Sequence, residues 1–147
     1  MESQVPRAPP LQICTAADVV REYYHGFNRW DLASMEALIG EDCVYEDLLF
    51  SQPFIGCKAI LEFFNKLAES TSSDLQFVID DISNEDISAV GVTWHLEWHG
   101  TPFPFSKGCS FYSTEVLDGK RQITKLCREC APSGSCDFLS SERSLHR

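Results

Sequence analysis

Tyr23 and Asp47 are the two residues of this chain whose types and surroundings suggest proton transfer. Asp47 closes the run Cys43-Val44-Tyr45-Glu46-Asp47-Leu48, which alternates like a short, half-apolar strand. Tyr23 stands on the apolar side of Val19-Val20-Arg21-Glu22-Tyr23-Tyr24, an amphipathic helical run. A carboxylate kept ionised in a partly apolar site accepts a proton, and burial nudges its pKa upward. A phenol aimed at the same point donates to the charge developing on an oxygen. The same pair also suits a plainer role, as the polar fringe of a binding pocket. Tyr45 shares a strand face with Asp47 and is a further pocket candidate, while Glu46 should point to solvent.

Such a pair needs walls. The clearest strand runs from Ala89 to His99, with Val90, Val92, Trp94, Leu96 and Trp98 on one face. These residues make a core, and Trp94 and Trp98 offer flat apolar surface to a ring-shaped ligand. Val92, Leu96 and Phe111 are expected to complete the wall. His95, Glu97 and His99 share the opposite face. A zinc or iron site needs three or four converging ligands, so pairing across a dimer, or contact with solvent, is expected there instead of a metal. Cys127-x-x-Cys130, followed by Cys136, lacks the second pair that a structural zinc site requires. Nucleophile-elbow, phosphate-loop and dinucleotide motifs are missing from the sequence, so no cofactor is expected.

The elements that must position these residues follow from periodicity and punctuation. Thr15, with Asp18 three residues on, predicts a helix start, and Val19, Val20, Tyr23, Tyr24 and Phe27 recur at helical spacing. Asp31 predicts the cap of a short second helix, stopped by Gly40. A strand is expected over Cys43–Leu49 and a third helix over Cys57–Ala68. The period then changes to two. Strands are expected at Leu75–Ile79, Ala89–His99, Ser110–Leu117 and Gln122–Glu129, with Asp118-Gly119 as a hairpin turn. Helices first and hairpin strands later make an α+β domain with helices on one face of a curling sheet. Residues 1–14 read as a flexible lead, 15–130 as the single domain and 131–147 as a mobile tail.

At 147 residues and 44% hydrophobic, the chain buries enough surface to fold without a metal or disulfide staple. A net charge of −10 with scattered Lys and Arg argues against nucleic acid and against an anionic membrane surface. No apolar run is long enough to span a bilayer. Seven cysteines, an odd number, read as reduced thiols of an intracellular, cytoplasmic protein, with an organellar or nuclear address left open.

Several strings, in this order, resemble the superfamily of nuclear transport factor two, SnoaL-type polyketide cyclases and ketosteroid isomerase. They are Val19 to Tyr23, Trp30 to Leu38, Asp42 to Asp47, Gly56 to Phe64, Leu96 to Gly100, and Asp118-Gly119-Lys120 leading to Arg128-Glu129. The resemblance covers residues 15–130 and implies a cone: a curved, mostly antiparallel sheet wrapped around three helices. It also implies that Tyr23 matches the isomerase tyrosine, Asp47 its general base and Arg128 the arginine of an Arg-acidic pair near the last strand. The isomerase also uses a protonated acid. That position falls on Cys109, and a thiol is a weak donor. Loss of one oxyanion donor costs about a hundred- to thousand-fold in rate. The expectation is therefore a SnoaL-like domain binding a small apolar or cyclic ligand, with catalysis, if present, by a cofactor-free isomerase, cyclase or hydrolase route. Dimerisation through the outer sheet face is expected. The rival is a non-catalytic interaction module of the transport-factor type.

Overall fold

In the computed structural model, Thr15 caps the first helix, α1 (Ala16–Asn28), its hydroxyl accepting the Asp18 N–H at 3.2 Å. The structure describes residues 15–47, 50–70 and 74–130, with only the backbone of 129 and 130. The lead 1–14 and the tail 131–147 lie outside the described residues. Asp31 caps α2 (Leu32–Leu38), accepting from Ser34 N–H at 3.2 Å and Ser34 Oγ at 2.7 Å. Those two bonds hold its carboxyl below the ordinary range.

Here the expected boundary shifts. Gly40 does not stop α2, because β1 (Ile39–Asp47) begins directly after Leu38. A Cβ at Gly40 would meet the Ile123 carbonyl at 3.2 Å. The glycine lets β1 lie tightly against the last strand. Next come β2 (Phe54–Ile55) and α3 (Cys57–Ser70), entered through Gly56 at φ +96°. The remaining strands are β3 (Leu75–Ile82), β4 (Ala89–Trp98), β5 (Thr101–Pro102), β6 (Gly108–Leu117) and β7 (Lys120–Cys130). Asp118 and Gly119 both have positive φ, 52° and 78°, as the two-residue turn between β6 and β7 demands.

The strands form one curved, open sheet in the order β2-β1-β7-β6-β4-β3, with β5 beside β4. All pairings are antiparallel except β1 with β7. The helices pack against the inner face, making an α+β cone. Val19, Val20, Tyr23 and Phe27 of α1 and Ile60 and Phe64 of α3 meet Tyr45, Val92, Trp94, Tyr112 and Leu126 of the sheet. Burying an apolar side chain of this size contributes about 1.5–3 kcal/mol, so this cluster is the principal source of stability. No helix among the described residues is long and apolar enough to cross a membrane.

Register carries the inner face into a functional arrangement. Asp47 pairs with Arg128, Arg128 with Ser110, and Ser110 with Val92. One row of side chains thus runs across four strands on the concave side. The expectation of seven reduced thiols needs one correction. Cys43, Cys57 and Cys127 are free, whereas Cys109 is disulfide-bonded.

Candidate functional site

Asp47 sits at the end of β1, and the alternation of that strand turns it inward with Cys43 and Tyr45. It keeps 1% of its surface. The partner is Arg128, brought beside it by the parallel register. Arg128 donates to Asp47 Oδ2 from Nε at 3.2 Å and from an Nη at 2.8 Å. The Tyr45 hydroxyl donates to the same oxygen at 3.0 Å. The Arg128 guanidinium also lies 5.7 Å from the centre of the Phe77 ring, within cation–π range. Glu46 is exposed on the other face, as alternation requires.

Tyr23 lies on α1 and keeps 5% of its surface. Its ring packs edge-on against Tyr24, Phe64 and Tyr112. Among the described residues its hydroxyl makes no hydrogen bond. It borders a cavity lined by Tyr23, Tyr24, Phe27, Tyr45, Phe77, Tyr112, Leu126 and Arg128. The cavity measures about 20 Å³, room for about one water molecule. Asp47 is not among its lining residues; Tyr45 and Arg128 are. Burial pushes the Tyr23 hydroxyl well above the usual phenol range, with the neighbouring Tyr45 and Tyr24 adding to it and Arg128 opposing it. Tyr112 is raised in the same way, and Tyr24 also rises by burial. These phenols are therefore donors and not anions at neutral pH.

The expected wall is partly in place. Val92 and Trp94 are buried, at 2% and 1% exposure, and Leu96 packs against the same core. Trp98 continues their face but runs past the core, where it is 46% exposed and its ring lies 5.0 Å from that of His99 at a tilt of 40°. None of these four lines the cavity; Phe77, which does, packs edge-on against Trp94 with ring centres 4.8 Å apart. Phe111 belongs on the opposite face. In β6 the inward residues are Ser110, Tyr112 and Thr114, so Phe111 turns outward and is 55% exposed.

Cys109, assigned by resemblance to the place of a protonated acid, is also outward by the same parity. Ser110 takes the inward place beside Arg128. Its hydroxyl accepts from Trp94 Nε1 at 3.0 Å, and Tyr112 donates to Tyr24 at 2.8 Å nearby. Ser110 and Tyr112 are the site residues the sequence reading missed. Their signal was the Ser110-x-Tyr112-x-Thr114 alternation.

On the outer face His95 bridges two carboxylates, Asp80 Oδ1 at 2.8 Å and Glu97 Oε2 at 2.8 Å. These groups pair within the chain, where pairing across a dimer or contact with solvent was expected. Among the described residues no group of three or more His, Cys, Asp or Glu is arranged to hold a metal ion.

Comparison with known proteins adds the family. The model of the nuclear transport factor 2 (NTF2) domain matches residues 15–128. No curated protein sequence matches significantly. A structure from Nostoc punctiforme with a cystatin-like fold and unknown function is similar at TM-score 0.64 and 9% identity, covering 80% of this chain and 89% of that one. A putative polyketide cyclase from Sinorhizobium meliloti is similar at TM-score 0.58 and 21% identity, covering 76% and 94%. A putative ketosteroid isomerase from Kribbella flavida is similar at TM-score 0.55 and 20% identity, covering 75% and 73%. At such identities the likeness establishes the fold.

Proposed function

The chain belongs to the nuclear transport factor 2 domain family, and from that premise we propose that it is a non-catalytic interaction module that assembles with a second copy of itself through the outer face of its sheet. The observation that carries this is the state of Asp47. A general base must come within about 2.6–3.2 Å of the proton it takes, directly or through one water. Asp47 is instead buried beneath Tyr45 and Arg128, both bonded to its Oδ2, and does not line the cavity. A cyclic ligand needs roughly 300 Å³ or more, and the cavity has about 20 Å³. The cone is filled by the chain's own rings.

The outer face supports the partner. Phe111, 55% exposed, lies over Gly91 and forms one wall of a groove of about 170 Å³ that Asp81, Ser83 and Thr93 also line. An exposed ring and the groove it walls form a single patch, and a two-fold interface pairs one such patch with its copy. Sedimentation equilibrium tests this. A dimer is expected for the wild type and a folded monomer, with a cooperative thermal transition, for Phe111→Ser. A monomeric wild type would overturn the reading.

A second reading retains an enzyme. The observation favouring it is the ring of hydroxyls from Tyr23, Tyr24, Tyr45 and Tyr112 around the cavity, with the Tyr23 oxygen unbonded among the described residues. It requires Phe27 and Phe77 to swing aside for a small cyclic ketone. In this reading Tyr23 donates to the carbonyl oxygen and Asp47 takes the proton. Thermal shift with cyclic ketones, repeated on Tyr23→Phe, separates the two readings. A saturable stabilisation lost in Tyr23→Phe would favour the enzyme.

A further inference from the structure

The outer face carries one polar cluster that neither reading uses. His95 of β4 lies between Asp80 of β3 and Glu97 two residues along its own strand, with a carboxylate oxygen 2.8 Å from each ring nitrogen. Ionised carboxylates only accept, so both nitrogens must donate, and only imidazolium has two N–H groups. The placement is built. The β3–β4 register slips between Ile79 and Asp81, a bulge at Asp80. Bulges re-aim side chains. His95 itself keeps 18% of its side-chain surface.

The same cluster supports a loop. His95 and Asp80 line an open groove of about 380 Å³ together with Pro102, Phe103, Phe105, Ser106 and Lys107 of the loop. The loop is hung on Leu96, the residue between His95 and Glu97. Phe103 N–H donates to the Leu96 carbonyl at 2.9 Å, and Leu96 N–H donates to Ser106 Oγ at 3.0 Å. The charged groups bonded to His95 are Asp80 from β3 and Glu97 from β4, and Lys107 of the loop lines the same groove.

We infer that His95 is a proton-dependent strut: as imidazolium it ties β3 to β4 and holds the loop 101–107 down, and on losing its proton it releases them. Neutral imidazole has one N–H, so one carboxylate loses its donor. Two like charges, one on β3 and one on β4, then flank an uncharged ring next to Leu96, from which the loop hangs. The exposed rings of Phe103 and Phe105, 44% and 79% accessible, move with that loop.

The sign follows from the partners. The hydrogen bond to Glu97 raises the His95 pKa from its usual 6.5 most strongly; desolvation is the next effect and opposes it, and Asp80 then adds to the rise. A raised value in the closed state stabilises that state fully below about pH 6.5. The stabilisation is lost as pH rises through the closed-state value.

The test uses the full chain. Imidazole nitrogen shifts of His95, assigned with His95→Gln, are followed by NMR from acid to alkaline pH, with amide exchange of Leu96 and Phe103 alongside. The expected result is two protonated nitrogens at pH 6 and a midpoint above 6.5. Amide protection, corrected for intrinsic exchange, should fall through that midpoint by about tenfold per unit of upward shift. Glu97→Gln should lower the midpoint and shift the protection change with it. A midpoint at or below 6.5, or a raised midpoint with flat protection of both amides, would overturn the strut. If His95→Gln fails to fold, Glu97→Gln and Asp80→Asn supply the same comparison.

Discussion

The inner and outer faces of one sheet treat their charges in opposite ways. Inside, Asp47 keeps 1% of its surface and shares one carboxylate oxygen between Arg128 and Tyr45. Outside, on the single chain, His95 keeps 18% of its side-chain surface between Asp80 and Glu97, and Phe111 on the neighbouring strand is 55% exposed. Both clusters join a cation to a carboxylate across adjacent strands. Burial decides what each is worth. Surface pairs contribute about 0–1 kcal/mol because water screens them. A desolvated pair is costly to assemble and far costlier to break. The inner cluster is therefore a matter of folding, and the outer one is free to respond to its surroundings.

Breaking the inner pair should have the largest effect. Arg128→Met leaves a buried carboxylate without its cation and should cost about 3–5 kcal/mol in urea denaturation. Removing both charges in Asp47→Leu/Arg128→Met should recover most of that loss. If the double variant is as damaged as the single, the cost lies in packing and not in the orphaned charge. Tyr45→Phe comes next. It deletes one hydrogen bond to a buried carboxylate and should cost about 1.5–3 kcal/mol by the same measurement. The smallest effect belongs outside. Phe111→Ser should change monomer stability by no more than about 0.5 kcal/mol, since the side chain is mostly in water. A larger loss would mean that the outer face is less independent of the core than the comparison holds.

Much of the fold was legible because local rules and tertiary demands agree. Thr15 and Asp31 cap where their side chains can accept, and Asp118-Gly119 turns because both positions need positive φ. The inward direction of Asp47 could be read from alternation with Cys43 and Tyr45. The Arg128 partnership was visible only as one option among several. It depends on a parallel register joining residues 81 apart, and nothing local encodes that. Phe111 was misplaced for a different reason. It stands next to Tyr112, so the two apolar neighbours leave strand parity undecided until β4 fixes it through Val90 with Tyr112. The size of the cavity was illegible altogether. It depends on how Phe77 and four tyrosines share one space.

The parallel pairing of β1 with β7 also sets a timetable. β7 is translated last among the described strands, yet it lies in the interior of the sheet, between β1 and β6. While the chain is being made, β1 has only the two-residue β2 beside it. Its main neighbour follows roughly 80 residues later, a wait of roughly ten seconds at about 5–20 residues per second. Until then Asp47 has no arginine, and the tyrosines that will fill the cone stand open to whatever is nearby. The domain therefore closes in one late event, when residues 120–130 thread between two edges already waiting. Nascent chains cut short of that point should be clients of chaperones, not smaller versions of the same protein.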